Sequence, residues 1–152
     1  MAVINSKYAT REIPLPYPKC AGEVVAYRFS YTVPTTIAQG DIIELAVLPA
    51  NCRPVDAIFD SADLDTNVSP EIVWDIGVMS GAVGDGGSRT CGDELFDGIT
   101  TSQAGGVVRP TLQKAFQVAP TSDHRSIGAK LVTDAATAAA GEIGLTLYYA
   151  TV

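Results

Sequence analysis

The chain is predicted to be all-β, an antiparallel sandwich, and three observations carry that expectation. Apolar and polar residues alternate with period two in one segment after another. Glycine and proline punctuate those segments at short intervals. Helical periodicity does not come between the strands, so the βαβ rhythm of parallel sheets is missing.

Taken in order, residues 1–22 open the chain with three prolines at alternate positions, Pro14, Pro16 and Pro18. Proline fixes φ and withholds a donor, so this stretch is expected as an extended N-terminal arm outside any ladder. Ile13, Leu15 and Tyr17 would expose apolar area there unless they covered a neighbouring molecule, which makes them candidate interface residues. The expected division is an arm over 1–22 and a sandwich over 23–152.

In Glu23–Val33 the residues Val25, Tyr27, Phe29, Tyr31 and Val33 share one side. Asp41–Leu48 follows Gly40 and groups Ile43, Leu45 and Val47. Val55, Ala57 and Phe59 repeat the pattern after Pro54, and Ile72, Trp74, Ile76 and Val78 repeat it after Pro70. Residues 80–92 are glycine-rich and read as a long loop. Asp93 is placed to cap one short helix, Glu94–Thr101, with Leu95, Phe96 and Ile99 on one side. A short strand over Ala115–Val118 stops at Pro120. Ile127, Ala129 and Leu131 alternate next, and Asp134–Ala140 is too short for a stable helix and reads as a loop. Ile143, Leu145, Leu147 and Tyr149 form the last buried row. Tyr148 falls on the opposite side and is a fourth candidate interface residue. Alternation, rather than continuous apolar runs, implies one solvated face per sheet. The architecture expected is jelly-roll-like, with two sheets of about four strands packed face to face.

A chain of 152 residues suits one domain able to hold a core without disulfide or cofactor. Its net charge of -7 disfavours nucleic acid and acidic membrane surfaces, and no basic run offers a local exception. No apolar window is long enough for a spanning helix, and the N-terminus lacks the features of a signal peptide. The three cysteines, Cys20, Cys52 and Cys91, are odd in number and widely spaced, which points to folding in a reducing cytosol.

The chemical inventory is poor. His124 is the single histidine, in a loop, with Ser122 and Asp123 adjacent; neighbours in sequence seldom supply triad geometry. The cysteines have no metal-ligand spacing. In Asp60–Asn67, Asp63, Asp65 and Asn67 alternate as a calcium loop opens, but Val68 and Trp74 stand where glycine and glutamate are required. A solvated connection is the better reading. Glu71 and Asp75 share a strand face roughly 13 Å apart, too far for a glycosidase pair. No enzyme, no cofactor and no metal are expected.

The stretch from Asp41 to Gly81 resembles small structural proteins encoded beside the major capsid protein of tailed bacteriophages. The residues that carry the likeness are Leu48-Pro49, Pro54–Asp60, Asp63–Asn67 and Asp75-Ile76-Gly77, with Glu94–Arg109 adding a later match. The resemblance implies a capsid decoration, or cement, protein with a jelly-roll-like sandwich. Such a protein sits on the virion exterior and bridges neighbouring capsomers. Its implied partners are the major capsid protein and further copies of itself, a homotrimer first and a dimer second. Production in the host bacterial cytoplasm agrees with unpaired thiols. The alternative is a receptor- or carbohydrate-binding module of a phage fibre or tail, since sandwiches serve both roles. Trp74, the single tryptophan, is expected in the core rather than on a sugar platform.

Overall fold

The alternating segments form strands, as a computed structural model of residues 1–151 shows; Val152, at the end of the expected sandwich, lies outside the described residues. Among the described residues nine strands run in order: β1 (Val3–Asn5), β2 (Val24–Val33), β3 (Ile42–Leu48), β4 (Cys52–Ser61), β5 (Val73–Val78), β6 (Phe96–Ile99), β7 (Gly106–Val108), β8 (Arg125–Thr133) and β9 (Gly141–Thr151). They make a five-stranded sheet, β1-β3-β8-β5-β6, and a four-stranded sheet, β2-β9-β4-β7. The pairs are nested: β2 with β9, β3 with β8, β4 with β7 and β5 with β6, all antiparallel. Only β1 runs parallel to its neighbour, β3.

The inward rows are those read from the alternation. Phe29, Phe59, Leu145 and Leu147 from one sheet meet Leu45, Trp74, Ile76 and Leu131 from the other in one buried cluster. Two corrections concern phase. A bulge at Leu45 sets Glu44 opposite Gly128 and Ala46 opposite Ile127. The extra residue rotates the rest of β3, so Ala46 and Leu48 join the core, while Val47 turns to the outer side. A second shift, between Pro54 and Asp56, leaves Val55 half-buried off the row of Ala57 and Phe59.

The expected helix over Glu94–Thr101 is instead the strand β6, followed by a 3-10 turn at Thr101–Gln103. Asp93 does not cap; it pairs with Lys114 at 2.8 Å. Glu94 accepts from the Val78 N–H at 2.9 Å, and Gly98 adopts φ 63°, which a helix cannot contain. Leu95 and Phe96 are buried against β5, whose open edge recruits the segment. The expected strand over Ala115–Val118 is likewise a 3-10 turn, Gln113–Phe116. Ala115 and Val118, three residues apart, are buried while Phe116 is exposed, which is a period of three rather than two. Asp134–Ala140 is a loop, as read.

The first 22 residues do not project from the molecule in this structure. β1 zips onto β3, Leu15 packs against the core cluster, and Ser6 and Ala9 are buried. In this structure the apolar leader finds cover on its own sandwich. The stretch from Pro14 to Pro18 does stay outside any ladder.

Candidate interaction surface

The two outer faces of the sandwich differ, and the difference begins with one carboxylate. Glu44 interrupts the apolar run of β3 and is fully buried on the outer side of the five-stranded sheet. Its Oε1 accepts from Arg89 Nη1 at 2.8 Å, from the Gly84 N–H at 3.0 Å and from the Ser126 hydroxyl. Arg89 also donates to Ser126 Oγ and to the Ser80 carbonyl. The glycine-rich loop 80–92 is thereby locked over this face. The leader covers more of it: Asn5 Nδ2 donates to the Gly84 carbonyl and Ser6 Oγ to that of Leu45. Tyr149 donates to the Pro16 carbonyl at 2.6 Å and Tyr17 to that of Ala50 at 2.7 Å, so aromatic hydroxyls tie down the proline-rich stretch.

Ile13 and Leu15 come together in a cleft of about 260 Å³ that they share with Tyr8, Val47 and His124. Tyr17 stands apart from them, half exposed beside Ala50. Tyr148 lies on another face altogether, half-buried between Ala26 and Asp56 across the four-stranded sheet. The structure therefore does not unite the four expected interface residues.

That second face is open. Val24, Ala26, Tyr148, Ile58 and Val107 occupy its outward positions, with Val24 52% and Val107 69% exposed. Two of its three arginines are paired within the chain. Arg28 donates to Asp60 through Nε and Nη2 at 3.0 and 2.6 Å and contacts Glu142 at 2.8 Å. Asp60 is the chief reason its guanidinium is held more firmly protonated than usual. Gly144 lies under this cluster, where any side chain would strike the Arg28 guanidinium and the Asp60 carboxylate. Arg109 reaches Asp56 at 3.4 Å. Sequence reading singled out only Tyr148 here, because the union of these outward positions depends on how β2, β9, β4 and β7 pair, which no local pattern shows.

The remaining candidates have structural surroundings. His124 Nδ1 accepts from the Ala50 N–H at 2.9 Å, and Ser122 contacts its neighbour Asp123 rather than the imidazole. The Asp65 carboxylate accepts from the N–H groups of Glu71, Ile72, Ala136, Thr137 and Asn67. Burial would raise its pKa, but these donors outweigh it and hold the group well below the ordinary carboxylate range. Its oxygens are thus occupied in clasping the 60s link to the 134–140 loop. Burial pushes the Cys91 thiol up to about 12. The three cysteines are free. Among the described residues, no three His, Cys, Asp or Glu side chains converge as a metal set, and no helix is long and apolar enough to cross a membrane.

No protein-family model matches the chain, and no curated protein matches it. Solved structures do. A chain from the capsid of Ralstonia phage GP4 is 49% identical, with 99% of each chain covered and a TM-score of 0.96. A chain from the capsid asymmetric unit of cyanophage Pam1 is 21% identical over 92% of this chain and 93% of that one, with a TM-score of 0.66; that likeness carries the fold alone. Fold and likeness together define a β-sandwich protein of the phage-capsid class. Within that class, the chain belongs to the same family as the protein in the GP4 capsid.

Proposed function

We propose that this protein is a capsid decoration, or cement, protein that binds the outside of a bacteriophage shell and bridges neighbouring capsomers. The observation that carries the reading is the 49% identity, end to end, with a chain of a phage capsid. The nested strand pairs support a jelly roll, the order produced when one long hairpin rolls up and closes two sheets face to face. One sealed outer face and one open face suit a molecule that holds its shape and offers a single broad side to a partner. Its partners are the major capsid protein and itself, as a trimer or a dimer, with no role for nucleic acid or membrane. It is made in the host cytoplasm and resides on the virion exterior. It has no enzymatic role.

Cementing works by linkage. A protein that binds the assembled shell better than its separate subunits stabilises the assembled state in proportion to that preference. Several attached copies turn weak contacts into avidity. Tyr148 on the open face is a contact in this reading. Ile13, Leu15 and Tyr17 take part if the leader over residues 1–22 lifts from its own sandwich onto a neighbour. The sugar-binding alternative loses its best platform, because Trp74 is fully buried.

The test mixes purified protein with undecorated shells, then measures co-sedimentation and the temperature of rupture. Retention on the shell and a raised rupture temperature are expected. An unchanged rupture temperature with no co-sedimentation refutes the role.

A further inference from the structure

β2 is the outer strand of the four-stranded sheet, and among the described residues its far side has no partner strand. Which of its backbone groups face outward follows from β9. The Glu142 carbonyl accepts from the Ala62 N–H, on the β4 side. Successive residues of an antiparallel strand direct their N–H and C=O to alternate sides. The even-numbered residues of β9 therefore bond to β4 and the odd-numbered ones to β2. The register matches odd with odd, as in Val25 with Tyr149 and Phe29 with Leu145. The N–H and C=O groups of Val24, Ala26, Arg28, Ser30 and Thr32 are left pointing away from the sheet. Among the described residues, no backbone group of another segment bonds to them.

Sheets normally protect such an edge with proline, lysine or a bulge. β2 has none of these: its ten residues pair with β9 in unbroken register, whereas β3, β4 and β5 all carry shifts. Protection comes only from the leader, and only at one end. Tyr8 lies edge-on to Tyr27 and Phe29 and lines one cleft with Ser30, Tyr31 and Thr32. The stretch Val24–Arg28 stays bare.

We propose that this bare stretch pairs antiparallel with the same stretch of a second copy, around a two-fold axis at Ala26. Each Ala26 then faces its counterpart, and Val24 faces Arg28 of the second copy. All outward groups of Val24, Ala26 and Arg28 are satisfied, and neither Tyr8 is displaced. Charge selects this occupant. Copies of a chain with net charge -7 repel in general, so self-association needs a neutral patch. The edge holds one charge, Arg28, already matched by Asp60 and Glu142. Across the adjoining face Arg28 is paired with Asp60 and Glu142 and Arg109 with Asp56, while Arg53, at the far strand β4, has no ion pair among the described residues. On the edge strand itself no unmatched charge recruits an acidic or basic strand. The axis at Ala26 sets no like charges opposite each other, and it joins the open faces of both copies into one surface. This contact is independent of shell attachment, so either reading can fail without the other.

Two measurements test it. Light scattering of the native protein at about 100 µM is expected to give a dimer. Ala26→Pro removes an N–H that the β9 ladder does not use, so it should give a monomer with unchanged Trp74 fluorescence. Should that variant unfold, Ala26→Glu sets like charges across the axis and makes the same test. In a Cys20→Ser background, Ala26→Cys should cross-link on mild oxidation, because paired Cα atoms about 5.5 Å apart suit a disulfide. Thr32→Cys should not. A monomeric native protein, a dimeric Ala26→Glu variant, no cross-link at 26, or equal cross-linking at 32 overturns the proposal.

Discussion

Asp65 offers the sharpest test of how this sandwich is held together. Replacing it with asparagine keeps the shape and removes the charge. The carboxylate Oδ2 accepts from Glu71 at 2.7 Å, Ala136 at 2.8 Å and Ile72 at 3.3 Å, while Oδ1 accepts from Thr137 at 2.8 Å and Asn67 at 3.4 Å. The best asparagine rotamer leaves its carbonyl on the three donors and turns its NH2 toward Thr137 and Asn67. Those two N–H groups lose their acceptor, and the other three bonds lose charge assistance. With bonds to charged groups contributing about 1.5–3 kcal/mol each and not adding fully, the expected loss is about 3 kcal/mol. For a domain of this size, that lowers Tm by about 6–12 °C.

The pH dependence sharpens the prediction. The folded pKa is depressed, so the carboxylate's contribution is complete above the ordinary carboxylate range. It is lost progressively as pH falls below that range toward the folded value. Asparagine cannot titrate, so the gap between native and variant protein should be widest near neutral pH and shrink in acid. Guanidinium unfolding followed by Trp74 fluorescence reads both, since the single tryptophan is fully buried. A loss below about 1 kcal/mol at neutral pH, smaller than one charge-assisted bond, or a gap independent of pH would refute the reasoning.

Two further outcomes follow from buried groups elsewhere. Arg89→Met strands Glu44 without its cation and should cost about 3–5 kcal/mol, whereas Arg89→Met with Glu44→Met should recover most of it. A double-mutant cycle from denaturant curves that shows additivity would contradict the loop lock. Native-state alkylation at about pH 8 should modify Cys20, which is exposed, and spare Cys91, whose thiol is pushed up to about 12. Peptide mass mapping that finds Cys91 modified at the rate of Cys20 would show that the 80–92 loop opens readily.

Much of the architecture was legible because burial on one face imposes a period of two, and period is a local property. The rows of β2, β5, β8 and β9 were read without error for that reason. Apart from the local 3-10 turn at Gln113–Phe116, the failures involve partners distant in sequence. Val47 was misplaced because the bulge at Leu45 depends on how β3 meets β8. The segment after Asp93 has a plausible helix cap, yet the open edge of β5, some twenty residues earlier, draws it into a strand. Glu44 within Ile-Ile-Glu-Leu-Ala-Val-Leu does signal a buried charge, but its partner is 45 residues away. The leader posed the right problem, apolar side chains needing cover, and the structure answers it within the same molecule. Of the four candidate interface residues, only Tyr148 was placed by alternation, and it alone reached the open face.

The uneven treatment of the two faces bears on what attachment costs. A glycine-rich loop and a proline-rich leader would be the most mobile parts of the chain; the loop is fixed on the sealed side by buried polar bonds, and the leader is held by part-buried ones, among them Asn5 to Gly84 and Tyr149 to Pro16. The outward positions of the open side are carried by strands, and the arginine nearest its edge, Arg28, is already held by two carboxylates. Association must offset the freedom lost by ordering side chains and loops, about 0.5–1.5 kcal/mol for each flexible side chain immobilised. Around Arg28 and the β2 edge little remains to be ordered. A small apolar strip such as Val24, Ala26 and Tyr148 can then yield net binding where the same area on a mobile loop would not. Loosening the face, by cutting Arg28 free of Asp60, should therefore weaken contact even though no contacting atom is removed.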